Sequence, residues 1–177
     1  NLLCLQERCG AKHEKCAVSE ATRLGAVLAS HDDTTAEHVA TSVTNGVGFA
    51  EIPPTVEAAL ACREQGIAIM MGAPNLIRGG SHSGNVAAEE LAKKDMLDIV
   101  SSDYVPSALL LSAFHLARIW DDLPRAIATV TRNPAQAARL DVGVALLVGM
   151  RGDGLRVRQT EAAPLLRGVW SQGTKIG

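Results

Sequence analysis

The chain has 177 residues, 47% of them hydrophobic and 20% charged, with a formal net charge of −2. That is one domain's length in an ordinary soluble composition, and the basic residues form no long run, which argues against a dedicated nucleic-acid surface or a polybasic membrane patch. No apolar stretch approaches the ~20 residues of a membrane span, and aromatics are only 3%, so the core has to be built from Ala, Val, Leu and Ile.

The first residues, NLLCLQERCG, have too short an apolar stretch and the wrong flanks for a signal peptide. They begin at Asn1 rather than Met, so the natural start is expected upstream or removed. Cys4, Cys9, Cys16 and Cys62 include no C-x-x-C pair, which fits reduced thiols in a cytoplasmic protein. Cys9, His13 and Cys16 share one helical face; half-buried packing is favoured there over a metal site.

Apolar, β-branched runs then recur at Gly25–Ala29, Val47–Ile52, Ile67–Ala73 and Leu97–Val100, each followed by a turn and a segment of helical period. Alternation of this kind reads as βαβ units and a parallel sheet. After the first run, Thr34 and Glu37 form a capping box, Ala36, Val39, Ala40 and Val43 make a stripe, and Gly46 closes the helix. After the second, Thr55 starts a helix carrying Val56, Ala59 and Leu60, which Gly66 ends. Asn85 is expected to cap a helix running to about Lys94. Pro106 suits the first turn of the next, whose buried stripe is Leu109, Leu110, Ala113, Phe114 and Ala117. Shorter helices are expected near Leu123–Thr131 and Pro134–Leu140. From Asp141 the chain turns Gly-rich, with strand-like pieces at Gly154–Arg158 and Leu165–Trp170, which divides it into 1–140 and a small β-rich appendage over 141–177. Four βα units are half of an eightfold barrel or most of a small doubly wound sheet, and periodicity does not separate these; a half barrel leaves two open strand edges to be covered.

If the strands are parallel, their carboxyl ends share one rim, where α/β folds place their sites. Those ends read His31-Asp32-Asp33, Glu51-Ile52-Pro53-Pro54, Gly72-Ala73-Pro74-Asn75 and Ser101-Ser102-Asp103-Tyr104. One His, one Glu and several Asp are the inventory of a divalent metal and a general base, while strand-end acids also serve simply to start the next helix. The loop Arg78-Gly79-Gly80-Ser81-His82-Ser83-Gly84-Asn85 combines three glycines, hydroxyl donors and a planar cation. A phosphate or other oxyanion is its natural ligand, and a mobile surface loop is the alternative. It lacks the Gly-Lys-Ser/Thr of a Walker loop, and His82 stands where a nucleophile elbow requires Ser.

Taken in order, SHDDTT, GVGFAEIPPT, MGAPNLIRGGSHSGN and DIVSSDYVP resemble the C-terminal half of the phosphonate-metabolism amidohydrolases, from about Glu7 onward and weakening after Asp141. The resemblance implies an α/β fold: the last four βα units of a TIM-type (β/α)8 barrel, with the remnant of a small β domain. It implies a divalent metal, zinc first, with His31 and Asp103 as ligands and Asp103 also as the proton acceptor. Arg78, Ser81, His82, Ser83, Asn85 and Glu51 would then face the substrate, Glu51 standing where a further metal-binding His is usual. The implied reaction is hydrolysis of a phosphoanhydride in a ribose-phosphonate 5-triphosphate, releasing pyrophosphate. A His-x-His pair on the first strand and a ligand on the fourth belong to the pattern and do not occur here, so the catalytic set is expected to be incomplete. The alternatives are a non-catalytic half barrel that pairs with itself or with a missing N-terminal half, and another amidohydrolase activity such as deamination or deacylation.

Overall fold

The computed structural model describes residues 2–81, 83–140 and 145–177. A long helix, α1 (Leu2–Leu24), leads into β1 (Ala29–His31), and strands then alternate with helices. These are α2 (Ala36–Thr44), β2 (Phe49–Glu51), α3 (Val56–Glu64), β3 (Ala68–Gly72), α4 (Ala73–Arg78), α5 (Ala88–Lys93) and β4 (Ile99–Ser101). Then come α6 (Ala108–Trp120), α7 (Leu123–Ala128), α8 (Arg132–Ala137), β5 (Gly154–Gln159), β6 (Pro164–Ser171) and β7 (Thr174–Lys175). Strands β1 to β4 form one parallel sheet in the order 1-2-3-4. A strand order that never reverses is a singly wound arrangement; a doubly wound sheet would turn back at a switch point. Strands β5 to β7 form a separate antiparallel sheet.

The pleat sorts the parallel sheet into two faces. Ala50, Ile69, Met71 and Val100 point to one side and join Val39, Ala58, Ala59, Leu76, Leu91 and Leu116 in the core between sheet and helices. The register puts His31, Glu51, Met70 and Ile99 in one row on the opposite face, and Gly72 beside Ser101 one step nearer the rim. The two flanks of the sheet differ. Along β4, Val100 N–H donates to the Thr129 carbonyl at 3.0 Å and Asn133 Nδ2 donates to the Asp98 carbonyl at 2.8 Å, so the segment after α7 seals that edge. Strand β1, among the described residues, is paired on its β2 side alone.

Several helix starts differ from the sequence expectation by a residue or more. Thr35, not Thr34, caps α2, its Oγ1 accepting from His38 N–H, while Thr34 Oγ1 donates to the Asp32 carbonyl. Both threonines fit the cap chemistry; the turn after β1 uses the first and leaves the second to the helix. Thr55 caps α3 as expected. Asn85 caps nothing: α5 begins after Ala87, and the side chain that serves its first turn is Asn75, whose Oδ1 accepts from Ala88 N–H at 2.9 Å. The helix α4 starts directly on the end of β3, with Pro74 in its first turn, where the sequence suggests only a turn. The stripes also shift. Val39 and Ser42 are the buried residues of α2 while Val43 is exposed, and α3 buries Ala58, Ala59 and Cys62 while Leu60 faces out.

Cys9 is half-buried and Cys16 exposed, and no metal-holding group of three His, Cys, Asp or Glu occurs among the described residues. Cys62 is fully buried, and that burial, with the Asp33 carboxylate as the lesser cause, pushes its thiol from an ordinary 9.0 up to about 11. Because the folded value is raised, the neutral thiol's contribution to stability is complete below about 9 and is lost as pH climbs toward 11. A thiol reagent at pH 8 is expected to label Cys16 and spare Cys62 in the native chain. Cys62→Ala should flatten the alkaline limb of a pH–stability curve. In the small sheet, Gln172 and Gly173 connect β6 to β7 with φ of +52° and +78°. Two positive φ values in a two-residue loop are the geometry that favours Asn-Gly. Gln172→Asn should therefore raise thermal stability by about 0.5–1 kcal/mol, read as a melting shift of a few degrees.

Candidate functional site

The rim at the carboxyl end of the parallel sheet concentrates unusual backbone. Asp32, Ile52 and Asp103 follow β1, β2 and β4 with φ of +59°, +53° and +51°. For a β-branched Ile this conformation is costly, by roughly 1–2 kcal/mol, and strain of this kind persists where surrounding structure over-determines it. The Ile52 amide is held to the Met70 carbonyl at 2.8 Å and its side chain packs on the core, which fixes the bend.

At one end of the rim, Asp103 leans over Gly72. A Cβ placed on Gly72 would lie 2.6 Å from Asp103 Oδ2 and 3.2 Å from its Cβ. Gly72 has φ −75° and ψ 134°, which any residue adopts, so what the glycine supplies there is space. A concave pocket of about 80 Å³ opens beside this carboxylate, lined by Asp103, Tyr104, Asn75, Arg78, Gly80 and Ser81. Arg78 ends α4, where Gly79 in the left-handed conformation turns the chain outward. Its Nη1 donates to the Tyr104 hydroxyl at 3.2 Å. Ser81 Oγ accepts from Ser83 N–H at 3.0 Å. Asn75 clasps the loop from beneath: its carbonyl accepts from Gly80 N–H at 2.9 Å, and its side chain holds Val86 and Ala88.

Of the residues proposed from sequence, Arg78, Ser81 and Asp103 therefore come together in one pocket. Ser83 reaches it only through its amide, and Asn85 does not line it. His82 lies outside the described residues. His31 and Glu51 stand side by side in register, three and two strands from β4, on the row that faces away from the core. His31 Nδ1 is 3.0 Å from Asp32 Oδ2, with both side chains more than half exposed. Asp33 accepts from Ser42 Oγ at 2.8 Å, which ties the turn to α2, so neither aspartate caps the helix. Gly72, Asn75 and Tyr104 appear at the strand ends in the sequence without a role; only the fold gives them one. A glycine closing an apolar strand was the one available signal, since such glycines mark close approach by another group.

The resemblance implies a divalent metal at this rim. Among the described residues no three His, Cys, Asp or Glu side chains converge on one point, and of the two implied ligands His31 ends β1 while Asp103 lies in the turn after β4. The described residues alone do not build a cation shell.

No protein-family model matches the chain. Solved structures show the same fold. A prolidase in complex with N-methylphosphonate-L-proline superposes with a TM-score of 0.67 at 16% identity, over 92% of this chain and 48% of that chain. An amidohydrolase gives 0.63 at 18% identity over 92% and 47%, and the A. niger ochratoxinase 0.65 at 15% over 92% and 44%. The fold is one shared with amidohydrolases. More particularly, the chain is 48% identical over 155 residues to the alpha-D-ribose 1-methylphosphonate 5-triphosphate diphosphatase of Escherichia coli strain K12. It is a relative of that enzyme; the match takes in 84% of this chain and 40% of the relative's length.

Proposed function

We propose that this chain forms the carboxyl-side half of a (β/α)8 barrel in a diphosphatase that cleaves a phosphoanhydride of a ribose-phosphonate 5-triphosphate and releases pyrophosphate. The observation that carries the reading is the seat of Asp103 over Gly72, in the same pocket as Arg78 and Ser81. A carboxylate there takes the proton of a water attacking phosphorus, and Arg78 and Ser81 offset charge on the phosphoryl oxygens. As the water oxygen bonds to phosphorus, the bridging P–O bond breaks and pyrophosphate leaves with the electron pair. In this reading Glu51 and His31 serve the same rim, His82, Ser83 and Asn85 serve the substrate, and the antiparallel sheet β5 to β7 is an appended unit. A divalent metal, zinc first, enters this reading only with ligands beyond the described residues, since His31 and Asp103 do not make a shell by themselves.

The test is a chimera of the E. coli diphosphatase in which this chain replaces the matching stretch. Pyrophosphate release from the ribose 1-methylphosphonate 5-triphosphate is expected, with a fall of about 10²–10⁴ in Asp103→Asn. Ammonia or a deacylated product in its place would move the chain to another amidohydrolase activity. The bare flank of β1 favours a second reading, a non-catalytic module that pairs with itself. An inactive chimera, with the isolated chain sedimenting as a dimer, would select it.

A further inference from the structure

We infer that Asn75 is a positioning residue: its side chain clasps the returning end of the loop of residues 79–87 to the start of that loop, and so sets where Ser81 stands against Asp103. Its place in turnover rests on the diphosphatase reading; the clasp itself does not.

The loop leaves α4 at Gly79 and returns into α5 after Ala87, and both ends meet on one residue. At the outgoing end Gly80 N–H donates to the Asn75 carbonyl at 2.9 Å. At the returning end Asn75 Oδ1 accepts from Ala88 N–H at 2.9 Å, and Nδ2 donates to the Val86 carbonyl at 3.4 Å. Val86 is held from its other side as well, its N–H donating to the Pro54 carbonyl at 2.9 Å in the turn that follows β2. Main-chain bonds thus tie one end of the loop to α4 and the other to the turn after β2, and the Asn75 side chain joins the two. A loop whose ends are drawn together in this way is carried by its neck.

The chemistry of the neck calls for a carboxamide. One atom must accept from the Ala88 amide while another donates to the Val86 carbonyl, and asparagine offers both on a short stem. Aspartate would keep the acceptor and turn a second oxygen toward the Val86 carbonyl; alanine would keep neither. The N-cap residue of α5, Ala87, has no side chain to serve that helix, so Asn75 serves its first amide from outside. Asn75 itself lies in the first turn of α4, which starts directly on the end of β3. The loop is therefore referenced to the same strand end whose Gly72 seats Asp103, and Ser81 and Asp103 line one pocket. A group moved by about 1 Å from its working position can cost about 10²-fold in rate, so a neck that fixes this spacing bears on the chemistry without touching the reacting atoms.

Amide hydrogen exchange on the full chain reads the clasp, and kinetics of the E. coli chimera read its consequence. Asn75→Ala frees the Ala88 amide by construction. The informative amides are Gly80 and Val86, whose acceptors are main-chain carbonyls that the substitution leaves in place. Both are expected to exchange about tenfold faster in Asn75→Ala, with the Ile69 amide of β3 unchanged. In Asn75→Asp, Ala88 should stay protected while Gly80 and Val86 still exchange about tenfold faster, because the donor to Val86 is gone. In the chimera Asn75→Ala should lower kcat/KM by about 10²-fold. Ser81→Ala, expected to cost about tenfold by itself, should cost less than about twofold in the Asn75→Ala background. A substitution that merely lowered the folded fraction would leave the Ser81 factor at its full size. Faster exchange confined to Ala88, or an undiminished Ser81 effect in the Asn75→Ala chimera, would overturn the inference. A chimera that releases no pyrophosphate while Gly80 and Val86 respond as expected would remove the diphosphatase reading and leave the clasp standing.

Discussion

Gly72→Ala should lower pyrophosphate release in the chimera by about 10²-fold or more while leaving its melting temperature nearly unchanged. The backbone of Gly72 is already in a conformation that alanine adopts freely, so no strain is introduced along the chain. The added methyl falls 2.6 Å from Asp103 Oδ2, 3.2 Å from Cβ and 3.3 Å from Cγ. An oxygen alone would swing aside, but three crowded atoms oblige the whole side chain to leave the pocket. Displacing a positioned proton acceptor removes most of what general base catalysis supplies. The stability cost is small because the displaced group is an exposed side chain that moves toward solvent. A fully active G72A chimera would show that Asp103 does not act from the seat described here.

The second large effect is on folding and lies at the opposite end of the sheet. Asp98→Ala is expected to destabilise the chain by about 2–3 kcal/mol, a melting shift of roughly 5–10 °C. Asp98 Oδ2 accepts from the amide of Ile69, a residue with no exposed surface, at 2.8 Å. Its Oδ1 lies 3.3 Å from both Arg63 Nη1 and Nη2, and Arg63 also donates to the Asp95 carbonyl. Alanine would leave a buried N–H without a partner, and an unmade bond of that kind costs more than a made one contributes. Asp98→Asn keeps an acceptor for Ile69 and loses only the charge toward Arg63, so about half the loss is expected from it. Circular dichroism melts of the parent and both variants settle the order; a D98A protein melting within two degrees or so of the parent would contradict it.

The strand–helix alternation could be read from the apolar runs, because each β-branched run ends at a turn and each helix begins near a polar cap. Helix α4 could not. Ala73-Pro74-Asn75 looks like a turn, and only its packing onto α6 and β3 makes a helix of the first residues after the strand. Asp103, Arg78 and Ser81 stood out by residue type, since an acid at a strand end and a cation in a glycine loop are chemically conspicuous. Gly72, Asn75 and Tyr104 did not, because their contributions are space, a clasp and an orientation, and these exist only between elements. The choice between Thr34 and Thr35 as cap was likewise decided by the turn, which takes Thr34 Oγ1 for the Asp32 carbonyl.

The unequal flanks of the parallel sheet carry a practical meaning for handling the isolated chain. Thr129 and Asn133 occupy the outer groups of β4, so that flank offers little template to a passing strand. Among the described residues β1 is unpaired on its outer side, and a short strand with free amides and carbonyls invites recruitment of another chain. Aggregation of this polypeptide should therefore grow in one direction, from β1, and a single gatekeeper at Ala29, whose side chain is exposed, is the place to interrupt it. Ala29→Lys puts a charge on that flank and leaves the pocket beside Asp103 on the far strand untouched.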